Sequence, residues 1–248
     1  MEFDMMQLGT MFLALAAGAL VKGATGMGLP LIALPVLASA MGLQHAIGLM
    51  TVPLILSNVL QVWRFRSTMR EEGMQFLPVF VIACAVGVML GTWALTSFPE
   101  RALLFTLGVI ILGYIIFKLV APHLVVSPAL AKRTAPFLGV VTGTLHGATG
   151  ISAPVGVTFI HAMGFGRDQH LFAVSAMFLM LATVQMPALF VAGVMQPEWL
   201  LHGLLALIPI LAFMPVGQAL AGKLSRKAFD RMILVFLGVM GVKMLFGL

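Results

Sequence analysis

Long runs of uncharged, apolar residues constrain this chain more than any other feature. Several extend for about 20 residues, the length that an α-helix needs to cross a hydrocarbon core about 30 Å thick. Of all residues, 61% are hydrophobic and 9% are charged, whereas a soluble domain has about 25% charged residues. The sequence therefore predicts an all-α integral membrane protein. Six full spans are predicted, at residues 46–63, 76–98, 102–120, 171–195, 199–221 and 232–248.

A nine-residue pattern occurs twice in the chain. KGATGMGLP at residues 22–30 returns as HGATGISAP at residues 146–154, an offset of 124 residues. Later landmarks follow in the same order, since the pair Gln-His at 44–45 recurs at 169–170 and Arg101 corresponds to Arg231. Such self-similarity indicates a duplicated structural unit. The predicted repeats are residues 1–121 and 135–248, and a linker at 122–134 joins them.

The motifs lie in segments 6–41 and 135–164, which are too long for a simple span and are interrupted in the middle. Two topologies are compatible with such segments. Each segment could cross the membrane once as a broken helix, which gives eight crossings and two repeats of the same orientation. Alternatively, each could be a re-entrant hairpin that leaves three crossings per half, and this odd number inverts the second repeat.

The distribution of Lys and Arg separates these topologies, because basic residues concentrate in cytoplasmic loops. With hairpins, 11 basic residues share one side, and Arg101 and Lys243 lie on the other. With eight crossings the same residues divide 7 against 6, which gives no orientation. We therefore predict two inverted repeats, each a hairpin followed by three spans, with both termini outside and the linker in the cytoplasm. The 11 residues are Arg64, Arg66, Arg70, Lys118, Lys132, Arg133, Arg167, Lys223, Arg226, Lys227 and Arg231.

The interrupted segments predict a ligand site. Backbone that leaves a helix at membrane depth is tolerated only where protein or a water-filled cavity surrounds it. Pro30 and Pro154 suit the first turn of a returning helix, and Gly26, Gly28 and Gly150 allow the turn before it. Helix starts bind anions through free N–H groups and the helix dipole. Inverted hairpins would hold a small anion between their tips near the membrane midplane, as in many secondary transporters.

Lys22 and His146 occupy equivalent positions, each directly before a GATG sequence. Ionisable residues at this depth cost roughly 2.5 to 3.5 kcal/mol on insertion scales and are functional candidates by default. The spans contain no Asp or Glu apart from residues at their ends, which argues against cation sites built on carboxylates. The alternative is that the small residues of the motif serve helix packing. The predicted substrate-binding residues are Lys22, Thr25, Gly26, Gly28, His146, Thr149, Gly150, Ser152 and Asn58.

Four polar residues inside the spans have two interpretations. They could line the cavity, or they could form hydrogen bonds between helices. The sequence leaves both open for Asn58, Gln61, Gln185 and Gln218.

At the two motifs the sequence resembles the TauE/SafE family of sulfite exporter-like membrane proteins. The resemblance rests on KGATGMGLPLIALPVL near the start, on GTLHGATGISAPVGV after the midpoint and on the spans that follow them in order. It implies transport of sulfite, sulfonates or sulfoacetate across a bacterial inner membrane. The motifs depart from the more glycine-rich form in the family at Met27 and at Ile151 and Ser152.

The predicted function is secondary transport of a small anion. The resemblance implies that this anion is a sulfur oxyanion or a sulfonate. An anion channel and a carrier of small carboxylates are the alternatives. An enzyme is not expected, since no nucleophile and base, paired carboxylates or metal cluster occurs. No cofactor, metal or nucleic acid is expected either. Histidine titrates near neutral pH, so His146 is a candidate for proton coupling, and a homodimer is among the expected assemblies.

Overall fold

The computed structural model describes residues 5–25, 28–120, 125–220 and 226–246, and the predicted site residue Gly26 and the basic residue Lys223 lie outside them. These described residues form helices and no strand. Besides α-helices they include two 3-10 turns, Arg66–Arg70 and Met74–Phe76, and a π-helical turn, Ala153–Val157. The α-helices are α1 (Met5–Thr25), α2 (Leu29–Met41), α3 (Leu43–Arg64), α4 (Leu77–Ser97), α5 (Glu100–Val120), α6 (Pro128–Thr149), α7 (Thr158–His161), α8 (Arg167–Val191), α9 (Pro197–Leu205), α10 (Leu207–Leu220) and α11 (Arg226–Phe246).

Within the described ranges, six stretches are long and apolar enough to cross a membrane, which confirms the prediction of an all-α membrane protein. Five of them coincide with predicted spans. The sixth, Leu8–Thr25, belongs to the first interrupted segment, and the last predicted span corresponds to a shorter apolar stretch of α11 at Ile233–Phe246. The candidate stretches are Leu8–Thr25, Leu43–Arg64, Met74–Ser97, Glu100–Val120, Arg167–Val191 and Pro197–Leu220.

The first interrupted segment turns back on itself. Gly18 of α1 lies so close to α2 that a Cβ on it would be 2.9 Å from the carbonyl oxygen of Leu29 and 3.3 Å from the Cβ of Ala33. In one straight helix, residues 18 and 33 would be about 22 Å apart, at 1.5 Å per residue. The chain therefore reverses between Thr25 and Leu29, and α2 runs back along α1.

The second interrupted segment also reverses. After α6 ends at Thr149, the π-helical turn brings Gly156 against Thr142, where a Cβ on the glycine would be 2.6 Å from the threonine methyl carbon. The N–H of Val126, which precedes α6, donates to the carbonyl of Ala162, which follows α7, at 2.7 Å. The two ends of this segment therefore meet.

The chain forms two compact units, and each draws on both sequence repeats. Unit 1 contains α1, α2, α3 up to Pro53, α5 and α9 to α11. Unit 2 contains α3 from Leu54, α4, α6, the π-helical turn, α7 and α8. The predicted repeats, residues 1–121 and 135–248, describe a duplication of the sequence and do not coincide with these two units. The repeat boundaries therefore stay a prediction. Each interrupted segment packs in the same unit as a helix from the other half of the chain.

In unit 1, glycines bring the backbones of α1 and α10 into direct contact. A Cβ on Gly23 would collide with the carbonyl of Met214, and one on Gly217 would collide with the carbonyl of Leu20. Small residues at helix crossings allow this approach, which favours close van der Waals packing in membranes. The first glycine of the KGATG motif is therefore a packing residue.

In unit 2, the same contact recurs between α6 and α4. A Cβ on Gly147 would collide with the carbonyl of Val88, and one on Gly91 would collide with the carbonyl of Thr144. Gly147 lies 124 residues after Gly23, and Gly91 lies 126 residues before Gly217. The packing interpretation of the small residues therefore holds for the first glycine of both motifs.

We expect alanine at Gly143 or Gly217 to destabilise the protein. Each added Cβ would collide with a backbone carbonyl, of Cys84 in unit 2 or of Leu20 in unit 1, and a backbone cannot move aside as a side chain can. Overpacking of this kind typically costs about 1 to 3 kcal/mol. The midpoint of thermal unfolding in detergent should fall in both variants.

Gly113→Ala is the matched control, because a Cβ on this helical glycine would meet nothing within 4 Å. Its unfolding midpoint should not fall. Equal midpoints for all three variants would contradict the assignment of Gly143 and Gly217 to the helix crossings.

Candidate functional site

The first motif surrounds the break between α1 and α2. Lys22 lies in the last turn of α1 and is only 3% exposed. Thr25 ends the helix, and its hydroxyl donates to the carbonyl of Val21 at 2.8 Å. Gly28 precedes α2 with φ of 111°, a left-handed conformation that favours glycine. Pro30 is the second residue of α2, as the sequence predicts for a returning helix.

The second motif ends α6 in a similar way. His146 lies in the last turn and is 1% exposed. The hydroxyl of Thr149 donates to the carbonyl of Leu145 at 2.7 Å and accepts the N–H of Ile151 at 3.4 Å. Gly150 has φ of 72°, and its N–H donates to the carbonyl of His146 at 2.6 Å. This left-handed glycine cap ends the helix and frees the chain to turn.

The returning arm of the second motif differs from the expected α-helix start. It begins with the π-helical turn Ala153–Val157, in which Pro154 is the second residue. The carbonyl of Ser152 accepts the N–H groups of Val155 and Gly156 at 3.2 and 2.8 Å. π-Helical turns are rare and frequently occur at functional sites. The two motifs are therefore alike up to the break and differ after it.

α8 covers the second motif. The Nε2 amide of Gln185 donates to the carbonyl of Gly147 at 3.2 Å, and both groups are buried. Two turns earlier on α8, the ring centroid of Phe178 lies 6.4 Å from that of His146, with the rings steeply inclined. The motif thus faces one apolar and one polar side chain of α8.

Several buried polar atoms in unit 2 find no hydrogen-bonding partner among the described residues. Five of them are Oγ1 of Thr92 and Thr142, Nδ1 of His146, Oγ of Ser152 and Oε1 of Gln185, and a sixth, Nε2 of His170, lies near the start of α8 beside His161. We name the first five residues the polar set. Each side chain is at most 3% exposed. Most buried polar groups in proteins are paired, so an unpaired group calls for an explanation. A group of unpaired atoms around one helix break is typical of a ligand site.

The unpaired threonines differ from threonines elsewhere in the same helices. Thr144 of α6 and Thr96 of α4 donate to carbonyls four residues earlier, at 2.9 and 3.2 Å. This is the usual bond of a threonine inside a helix. Thr92 and Thr142 make no such bond although both are buried. Their hydroxyl groups therefore remain available to another group.

The other candidates inside the spans have varied surroundings. Asn58 is buried in α3 and donates to the carbonyl of Leu54 at 2.7 Å. Gln61 accepts the hydroxyl of Ser175 at 2.7 Å, which is the bond between helices that the sequence left open. Gln218 is exposed in α10. The backbone of Gln218 lies against Gly23 of the first motif, and among the described hydrogen bonds of the three glutamines, that of Gln185 joins a side chain to a motif.

Sequence reasoning missed two members of the polar set. Thr142 lies one helical turn before His146, so helical spacing from a known candidate could have found it. Thr92 has no such signal in its own segment, because its proximity to the second motif depends on the crossing of α4 and α6. A Cβ on Gly147 would be 2.8 Å from the backbone nitrogen of Thr92.

The chemistry of the residues around the breaks suits a small oxyanion. An ammonium group, an imidazole, hydroxyls and an amide are all hydrogen-bonding groups without negative charge. Among the described residues, no three His, Cys, Asp or Glu side chains lie close enough to hold a metal ion.

Comparison with known proteins identifies the family. The family model described as sulfite exporter TauE/SafE matches residues 10–244, nearly the whole chain, and both motifs lie within the match. No curated protein and no solved structure is detectably similar to this chain. The six long apolar helices of the described ranges fit a multi-pass membrane protein. The chain belongs to the sulfite exporter TauE/SafE family of membrane transporters.

Proposed function

We propose that this protein is a secondary transporter that carries a small sulfur oxyanion or sulfonate across the bacterial inner membrane. The observation that supports this most directly is the burial of a basic residue at the same position of each motif. Lys22 and His146 are 3% and 1% exposed, and each lies in the last turn before a break. Membership in a transporter family supports the general activity, and the residues around the breaks suggest the charge of the substrate.

The helix dipole alone does not explain a buried lysine at this position. The carbonyl end of α1 attracts a cation, and such interactions contribute about 0.3 to 1 kcal/mol, or about 2 kcal/mol in favourable buried sites. Placing a lysine inside a membrane helix costs roughly 2.5 to 3.5 kcal/mol. The dipole therefore offsets only part of this cost. An anionic substrate would add a further favourable charge interaction with Lys22, and this would couple substrate binding to the stability of the site.

The threonines of the motifs have a different role in this proposal. Thr25 and Thr149 direct their hydroxyl hydrogens to carbonyls of their own helices, so in this geometry they do not donate to a ligand. Ser152 and Thr142 have buried hydroxyls that find no partner among the described groups. We infer that Ser152, Thr142 and His146 supply donors to the anion at the second motif. The prediction that both motifs hold one anion between them rests on the duplication and stays a prediction.

We also infer that both interrupted segments are re-entrant, so that the second repeat is inverted. The contact between Gly18 and Ala33 and the bond between Val126 and Ala162 support segments that enter and leave on one side. The charge distribution of the loops gives the same result.

Lys22→Met and His146→Leu should each weaken substrate binding without preventing membrane insertion. A hydrogen bond to a charged group typically contributes about 1.5 to 3 kcal/mol, so the dissociation constant for sulfite should rise by about one to two decades. The purified variants can be compared by the thermal shift that sulfite induces, since a ligand at 100 times its dissociation constant stabilises the folded state by about 2.7 kcal/mol.

The matched controls are Lys118→Met at the end of α5 and His161→Leu at the exposed end of α7. Both remove a basic group of the same kind outside the two nine-residue motifs, and the thermal shift should stay at the wild-type value. If Lys22→Met and His146→Leu also keep that shift, the two residues pack and do not bind the anion.

Cysteine labelling at two positions tests the re-entrant topology. Ser127 and Gln196 are exposed in the structure, and the single native cysteine, Cys84, is buried. With hairpins the two positions lie on opposite sides of the membrane, whereas with eight crossings they lie on the same side. A membrane-impermeant thiol reagent added to intact cells should label Gln196→Cys and not Ser127→Cys.

The reverse pattern in inside-out vesicles is the control, because it shows that Ser127→Cys is reactive when its side is accessible. Labelling of both positions from one side would contradict the hairpin topology. It would leave the assignment to a transporter family unchanged.

A further inference from the structure

We propose that the second motif selects an oxyanion that carries one proton on oxygen, and that Gln185 accepts the hydrogen bond from that O–H group. The inference rests on the proposed function, because it concerns the substrate of the same transporter. It concerns the polar set of unit 2, namely Thr92, Thr142, His146, Ser152 and Gln185, and it assigns a specificity-determining role to a residue outside the two motifs.

The orientation of the Gln185 amide is determined by its partner. Nε2 lies 3.2 Å from the carbonyl oxygen of Gly147. If the amide were flipped, Oε1 would face that carbonyl oxygen, and two acceptors would repel each other. The nitrogen therefore belongs at Gly147, and Oε1 points away from it as an acceptor. Amide oxygens only accept hydrogen bonds, so the group that completes Gln185 must be a donor.

Oε1 of Gln185 finds no donor among the described residues, and the side chain is 0% exposed. Leaving a buried acceptor unpaired costs stability. No other member of the polar set donates a hydrogen bond to Oε1 of Gln185 in the structure. Nδ1 of His146 and Oγ of Ser152 are themselves unpaired. Donors and one fixed acceptor are thus buried together around the break after α6.

A singly protonated oxyanion matches this combination. Its deprotonated oxygens accept hydrogen bonds from the hydroxyls of Thr142 and Ser152, which can rotate to donate. Its O–H group donates to Oε1 of Gln185. A sulfonate has the same single charge and no O–H group, so it leaves the amide oxygen unpaired. A site built to bind a substrate O–H discriminates strongly against the analogue that lacks it.

The class of substrate follows from these contacts. The site takes a monoanion that carries an acidic O–H, such as the O-protonated form of hydrogensulfite, in preference to a sulfonate or a fully deprotonated dianion. A carrier of this kind moves one proton together with each anion, because the proton is part of the substrate.

Methylphosphonate and methanesulfonate provide the test, because they have nearly the same shape. At a slightly acidic pH both are monoanions, and only the phosphonate carries an O–H group. We expect the purified wild-type protein to bind methylphosphonate at least about tenfold more tightly than methanesulfonate, which corresponds to one hydrogen bond. Sulfite at the same pH should compete with the phosphonate.

In Gln185→Met the two probes should have about equal dissociation constants. The substitution removes the acceptor, and an apolar side chain of similar length fills its place. Gln61→Met is the matched control. The Oε1 atom of Gln61 already accepts the hydroxyl of Ser175, so its removal should leave the ratio of the two dissociation constants at the wild-type value. If Gln185→Met does not fold, the preference of the wild-type protein still decides the proposal.

The outcomes separate this inference from the proposed function. Equal binding of both probes by the wild-type protein, or an unchanged preference in a folded Gln185→Met variant, would overturn the role of Gln185 and leave anion transport standing. If sulfite, phosphonate and sulfonate all fail to bind, the proposed function itself is wrong.

Discussion

The contact of backbone with backbone at the glycine crossings is the constraint on which the two units depend. Gly23 and Gly217 bring α1 against α10, and Gly147 and Gly91 bring α6 against α4. Each crossing holds the final turn of an interrupted helix next to a helix from the other half of the chain. Because no side chain separates the two backbones, each crossing holds the last turn before the break at a fixed position on the neighbouring helix. The basic residue before each motif glycine is buried in that same last turn.

The breaks themselves follow from this anchoring. A helix that is held at its last turn can end inside the protein only if its polar backbone groups are satisfied. Thr149 and Gly150 cap α6 through bonds to Leu145 and His146, and Gly28 opens α2 in a left-handed conformation. The side chains that remain unpaired then lie beside the break in unit 2. Packing residues and candidate binding residues therefore alternate within one short motif.

The sequence was sufficient to predict the helical membrane class, five of the long apolar helices and the two breaks, because hydrophobic length, glycine and proline are local signals. The turns at Gly28 and Gly150 and the place of Pro30 in the first turn of α2 were also predicted correctly, whereas Pro154 lies in a π-helical turn and not at the start of an α-helix. The sequence could not show that Gly23 packs on α10, nor that Thr92 and Gln185 border the second motif. Those contacts depend on the crossing of helices that are distant in the chain. The π-helical turn after Ser152 had no sequence signal that distinguishes it from an α-helix start.

Counterflow in proteoliposomes tests the claim of a secondary transporter for sulfur oxyanions most directly. The purified protein is reconstituted, the vesicles are loaded with unlabelled sulfite, and the uptake of labelled sulfite is measured at a trace concentration outside. A carrier that alternates between two states should take up the label faster into loaded than into empty vesicles and should accumulate it transiently. Uptake that is equal in both, or slower in the loaded vesicles, would contradict a carrier and would favour an anion channel.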